Sequence, residues 1–251
     1  MAEKKERKIV AADGGEVTGR TVKEAKPVGN SGPLRLGAVI LWVLAIVFEV
    51  LALLVYTGKI NLTFMPQLWQ IIAFLVLDLI CVIIGSQLWK KANRIKPASK
   101  ANALKFWLWN NMGVIVCAFA FIPFIILALS DKNADKKTKA IATVVAIIAL
   151  LIGGLASYDW NPISAEEQAS AVSVLGDGDV YWSPFGHKYH TSEDCQALNQ
   201  SETLTVGTVE QAIAAGREDL CKFCAKRDNI TGVRTEDGVL TEEDVAADDA
   251  A

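Results

Sequence analysis

Near the C-terminal end of this 251-residue chain, His190, Cys195, Cys221 and Cys224 stand in the order His-x4-Cys, a long insert, then Cys-x2-Cys. Thiolate sulfur and imidazole nitrogen are zinc donors, and two ligand pairs supplied by separate elements are how tetrahedral zinc sites are usually assembled. Three thiolates and one imidazole would close the shell around one structural zinc ion, leaving no position for water or substrate. A disulfide framework fits less well, since three cysteines leave one unpaired and a cytoplasmic setting keeps thiols reduced. Unrelated buried cysteines are the bland alternative. Zinc with three thiolates carries a net charge of minus one, which Lys222, Lys226 and Arg227 beside the last pair would offset. The chain's other histidine, His187, is three residues from His190, so strand alternation sends it to the opposite face, where solvation is expected.

A second set of chemically capable residues lies in apolar sequence. Glu49 and Asp78 sit near the middle of long hydrophobic runs, where an ionised carboxylate costs at least about 2.5 to 3.5 kcal/mol and no Lys or Arg of the same run neutralises it. Both are expected to spend much of their time protonated. Antiparallel packing of their two runs would bring them to similar depth, where they could share a proton or hydrogen-bond to Asn110 or Asn111. One reading is a proton relay, cation site or small-solute path; the other is a polar clamp between helices, which the lack of Gly- or Pro-broken helices around the acids favours.

The elements that carry these acids read as four transmembrane helices, about residues 36–56, 68–89, 106–129 and 140–158, each long enough for a hydrocarbon core that needs about 20 helical residues. The chain is 52% hydrophobic, and the excess is concentrated in these runs. Trp42, Tyr56, Trp69, Trp89, Trp107, Trp109, Tyr158 and Trp160 near their ends read as interfacial anchors. Small and polar residues recur at three-four spacing on one face of each: Trp42, Ala45, Glu49, Ala52 and Tyr56; Phe74, Asp78, Cys81 and Gly85; Asn110, Gly113, Cys117 and Ala120; Ala142, Ala146, Ala149, Gly153 and Ala156. Such seams let helix backbones approach closely in lipid, so these faces should turn inward in a four-helix bundle.

Lys and Arg near the spans set the expected sidedness. With the N-terminus inside, the cytoplasm collects the basic arm together with Lys90, Lys91, Arg94, Lys96, Lys100 and Lys105, which places both termini in the cytoplasm of a multi-pass cell-membrane protein. Lys132, Lys136, Lys137 and Lys139 of the third loop run against this. No signal peptide is expected, because a long polar arm precedes the first apolar run. Residues 1–35 read as a disordered basic arm, 36–158 as the transmembrane domain, 159–178 as a linker, 179–228 as the zinc-binding module and 229–251 as an acidic disordered tail. The fold class is thus an all-α transmembrane four-helix bundle with a small α+β module.

Within the module, residues 180–183 and 187–190 read as a hairpin closed at Pro184-Phe185-Gly186. A short helix starts at Thr208, with Gln211 in the capping-box position, and stops at Gly216. The order Val180-Tyr181-Trp182, Gly186, Tyr189-His190, Cys195, Leu198, Ala212, Gly216 and Cys221-Lys222-Phe223-Cys224 resembles the small Ada-type metal-binding module that ends various bacterial proteins. In the Ada DNA-repair protein the zinc is held by four cysteines, one of which takes a methyl group from damaged DNA. Here His190 stands where a cysteine might and no methyltransferase domain is present, so the resemblance implies metal binding without methyl transfer. The spans resemble only uncharacterised bacterial membrane proteins.

Enzyme motifs are missing: no Ser-His-Asp set, Walker loop, dinucleotide-binding glycine pattern or HExxH occurs. The expected function is therefore a membrane-anchored zinc module that binds or senses a partner, with the bilayer as solvent and a protein as partner. A nucleic-acid partner is less favoured, because the basic patch of Lys188, Lys222, Lys226 and Arg227 adjoins an acidic tail. The alternative function is a small proton- or cation-coupled transporter or channel using Glu49 and Asp78.

Overall fold

The computed structural model describes residues 7–14, 17, 28–62, 65–132, 135–176 and 178–241. The chain divides into a helical unit, Ser31–Ala92 with Asn102–Trp160, and a sheet-bearing unit made from the N-terminal stretch, Asn93–Ala101 and the chain from Asn161 onward.

Helices α1 (Ser31–Tyr56), α2 (Gln67–Ile95), α4 (Met112–Ser130) and α5 (Lys136–Ser157) are each long and apolar enough to cross a membrane. Their side chains are distributed as lipid requires. Leu36, Ile40, Val43, Val47 and Val50 of α1 face outward, whereas Ala38, Trp42, Ala45, Glu49, Ala52 and Tyr56 are buried. Small residues at three-four spacing permit this, because close backbone contact supplies the packing that hydrophobicity cannot supply between helices in lipid. A Cβ added at Gly113 would lie 2.2 Å from Ser86 Oγ, and one at Gly153 would lie 2.7 Å from Cys117 Sγ.

Two expectations change here. The third run does not begin a span at Phe106: a separate helix α3 (Ala103–Asn110) precedes α4. Asn111 divides them, its side-chain amide donating to Trp107 O at 3.1 Å while its carbonyl oxygen accepts from Asp159 N at 3.1 Å, so the break is held by side-chain bonding to backbone. Three of the expected interfacial anchors, Trp42, Tyr56 and Trp89, are buried. Trp42 and Trp89 pack at 5.2 Å, Trp89 and Trp109 at 5.1 Å, and the Arg35 guanidinium lies over Trp89 and Trp109. Trp69, Trp107 and Trp160 remain exposed.

The sheet-bearing unit is larger than the expected 179–228. Strand β1 (Lys8–Ala11) runs parallel to β4 (Thr203–Gly207), whose other edge pairs with β2 (Val180–Trp182). Part of the expected basic arm is therefore ordered by backbone pairing with a strand nearly two hundred residues away. The residues expected as linker carry α6 (Ala165–Leu175), started by a Ser164–Glu167 capping box and stopped at Gly176, φ 59°. A second sheet has the order β3 (Lys188–Tyr189), β5 (Asp219–Leu220), β6 (Arg234–Thr235), β7 (Gly238–Val239), so the expected tail supplies two strands. Lys4, Lys5, Arg20, Lys23, Lys26 and the acidic run from Glu242 lie outside the described residues.

The core of this unit gathers Ile163, Val180, Trp182, Tyr189, Leu198, Leu204, Val209, Ile213, Leu220 and Val233. Helix α7 (Val209–Ala214) has the expected Thr208–Gln211 capping box, and it ends where Gly216 N donates to Ile213 O and Arg217 N to Ala212 O, with Gly216 at φ 82°. Helix α8 (Lys222–Arg227) follows β5 directly.

Candidate metal centre

Each of the four sequence-predicted donors is delivered by a different local device. His190 ends the hairpin: its N–H donates to Tyr181 O at 2.8 Å and its carbonyl accepts from Tyr181 N at 2.7 Å, the one bridge joining β2 to the return strand. Cys195 opens the 3-10 turn Gln196–Leu198, its carbonyl accepting from Leu198 N at 2.8 Å. Cys221 continues β5 with its N–H on Tyr189 O at 2.9 Å, and it caps α8, which places Cys224 one turn further on.

The four donor atoms lie within 4.8 Å of one another, and all four residues are buried. Cys195 Sγ and Cys221 Sγ are 3.9 Å apart; Cys224 Sγ and His190 Nδ1 are 3.8 Å apart. This cluster could hold a metal ion. The hairpin places His187 away from it, exposed, while His190 is 5% exposed. The remaining cysteines, Cys81 and Cys117, are buried in the helical unit.

The backbone around the cluster is arranged for negative sulfur. Amide groups of Phe223 and Cys224 lie by Cys221, that of Ala197 by Cys195 and that of Thr191 by Cys224, while the Thr191 hydroxyl donates to Asp228 and accepts from Arg227 at 2.9 Å. Hydrogen bonds to a charged acceptor are roughly twice as strong as neutral ones, so these amides are best used when the sulfurs are thiolates. Hydrogen bonding from Cys221, then from His190 and the Thr191 amide, outweighs burial and holds the Cys224 thiol below the usual thiol range. That same bond to Cys224 pushes the Cys221 thiol up, with burial adding to it, and burial pushes Cys195 up. The three thiols thus hold their protons unequally, and those protons leave when a cation arrives.

Two of the basic residues expected to offset the site's charge, Lys222 and Arg227, lie close enough to feel the sulfurs, and both also pair with acids. Lys222 pairs with Asp237 at 3.2 Å and Lys188 with Glu236. Arg227 pairs with Asp228 at 2.7 Å, donates to Thr191 Oγ1 at 2.9 Å, and feels Cys224 and Cys195, as Lys222 feels Cys221. Sequence reasoning missed Thr191, since nothing in its spacing marks a second layer, and it missed a buried ionic knot beside β5. There Arg234 Nε meets Asp219 Oδ1 at 2.7 Å, and its Nη atoms reach Pro162 O at 2.8 Å, Glu167 Oε2 at 3.2 Å and Asn161 Oδ1 at 2.8 Å. The knot anchors the strand that ends in Cys221.

The polar residues singled out in the spans do not form one group. Glu49 and Asp78 are both buried in the helical unit. Asn110 and Asn111 instead donate to Phe106 O and Trp107 O on their own helix, so neither serves the acids as expected.

Comparison with protein-family models, with curated proteins and with solved structures gives no match. The functional reading therefore rests on the chain's own residues.

Proposed function

We propose that this chain is a multi-pass cell-membrane protein that holds a structural-zinc module on the cytoplasmic face, where the module binds or senses a protein partner. The observation that carries this is the spacing of the four donors. A tetrahedron with Zn–S of about 2.3 Å and Zn–N of about 2.0 Å has S···S edges of about 3.8 Å and S···N edges of about 3.5 Å, beside the 3.9 Å and 3.8 Å found here. His190, Cys195, Cys221 and Cys224 would hold the ion, and four protein ligands leave no open coordination position for catalysis. Zinc would supply cross-linking of the hairpin, the 3-10 turn and α8. The pairing of Lys188, Lys222 and Arg227 with acids argues against a nucleic-acid partner. Phe223, between Cys221 and Cys224, and Phe185, at the hairpin tip, are exposed and suit apolar contact with a protein.

The test is elemental analysis of the full-length protein, purified in detergent under reducing conditions without chelators. One zinc per chain is expected, lost in Cys195→Ser, Cys221→Ser, Cys224→Ser and His190→Ala and kept in His187→Ala. A metal-free wild-type protein whose sheet-bearing unit stays cooperatively folded overturns the reading, as does retention of zinc by His190→Ala with loss in His187→Ala. A photocrosslinking residue at position 223 should then trap a partner in cells in a manner abolished by Cys221→Ser.

A further inference from the structure

Three carboxylate oxygens in the helical unit accept no hydrogen bond: Glu49 Oε2 and both oxygens of Asp78. Glu49 is 4% and Asp78 0% exposed, so water does not serve them from outside. A helix clamp would have those oxygens engaged across helices, and only Glu49 Oε1 is, accepting from Phe124 N at 3.1 Å. That donor sits beside Pro123, which has no N–H and crowds the carbonyl one turn earlier, loosening α4 at this level.

The two acids are level with each other. Phe48 stacks on Phe74, and Gly85 meets Trp42, an antiparallel register of α1 and α2 that sets Glu49 opposite the turn holding Asp78. An independent feature points to the same place from α5. Thr143 is 6% exposed on the inner face of that helix, and its hydroxyl has no partner. Lys139 Nζ reaches Leu129 O and Cys117 Sγ reaches Leu150 O, so α4 and α5 run antiparallel with Thr143 at the level of Phe124, where Glu49 arrives.

We propose that Glu49, Asp78 and Thr143 form a binding site for one small monovalent cation of the size and hardness of sodium, which enters in exchange for one proton. The unengaged donors are all hard oxygens, which suits alkali and alkaline-earth ions over thiophilic metals. Four oxygens are too few for calcium, which takes about six to eight, and magnesium demands a near-ideal octahedron and keeps its waters. Charge selects the same ion: two carboxylates in a low-dielectric bundle are neutral with one proton and one monovalent cation. Among the described residues, Cys81 on the same helix and Cys117 on α4 are titratable groups close enough to sense Asp78. Buried α5 residues Ala142, Thr143, Ala146, Ala149 and Gly153 bring none.

The experiment uses the full-length protein in detergent, exchanged into weakly buffered choline chloride with a pH-indicating dye. Titration with sodium chloride should release about one proton per chain, saturably, while further choline chloride releases none. Glu49→Gln and Asp78→Asn should abolish the release; Thr143→Val should raise the half-saturating sodium concentration several-fold with the proton count unchanged. The wild-type titration stands even if an acid variant fails to fold. Absence of saturable release from the wild-type protein overturns the proposal, as does undiminished release from folded Asp78→Asn, or release by magnesium chloride where sodium gives none. None of these outcomes depends on whether the module holds zinc.

Discussion

Replacing Arg234 by Met removes the guanidinium of the ionic knot and keeps most of the stem that packs beside β5. The Arg234 side chain is 13% exposed and its partner Asp219 11%. Losing one member of a buried pair leaves the other charge uncompensated, at about 3 to 5 kcal/mol. Asp219 keeps Asn161 at 2.8 Å, and Glu167 keeps Lys100 at 3.3 Å and the Ser164 amide at 2.8 Å, so the lower end, about 3 kcal/mol, is expected. At about 1.4 kcal/mol per decade, this raises the locally open population by roughly a hundredfold. Hydrogen exchange with mass spectrometry on peptides covering 216–227 reads that directly, because the Cys221 amide is bonded to Tyr189 O. Lys100→Met, whose side chain is 61% exposed, should change the same peptides by less than about 1 kcal/mol. Arg234→Met/Asp219→Asn should recover part of the loss by neutralising the orphan. The same knot sets an acid limit. Although burial pushes Glu167 up, the Ser164 amide and Arg234 outweigh it and hold Glu167 below the usual carboxylate range. Its contribution is therefore complete above about pH 4.3 and fades as pH falls through the depressed value. Exchange in Arg234→Met that is accelerated less than fivefold would refute the reasoning.

Zinc uptake near pH 7.5 should release protons from the cysteine ligands, giving an apparent affinity that rises with pH; calorimetry in buffers of different ionisation enthalpy counts them. Gly113→Ala should lower thermal stability of the bundle by about 1 to 3 kcal/mol, because its Cβ collides with Ser86, whereas Gly154→Ala, which meets nothing within 4 Å, should be near neutral. If the module is cytoplasmic, a cysteine placed at Asn61 should be labelled by an impermeant reagent in intact cells while one at Ser201 is not; labelling at Ser201 would reverse the sidedness.

What the sequence disclosed and what it hid divide along the range of the interactions involved. Inward and outward faces of the spans were legible because they depend on a period of 3.6 residues within one helix, and Asp78, Cys81, Gly85, Gly113 and Cys117 are indeed buried. The capping box at Thr208 and the stop at Gly216 are local in the same way. So is the Ser164–Glu167 box followed by Gly176, a helix signal that the expected linker reading passed over. Strand β1 has no such signal, since Lys8–Ala11 is ordered only by a partner at Thr203–Val206. Arg234 reads as one more charge in a polar tail until the fold brings Asp219, Glu167 and Pro162 to it.

The donors of the metal centre were legible for a different reason. Liganding needs particular atoms, so residue identity alone narrows the choice to two histidines and five cysteines. Strand alternation then separates His187 from His190, and the apolar runs claim Cys81 and Cys117. What identity could not supply is the support that makes four donors a site. That support is the Thr191 amide beside Cys224 and a knot of buried charge that fixes β5. Each depends on where the chain returns to itself. Disturbing these supports should therefore weaken metal retention without touching a ligand, and Arg234, which contacts no sulfur, is where that separation between holding the ion and holding its holders can be measured.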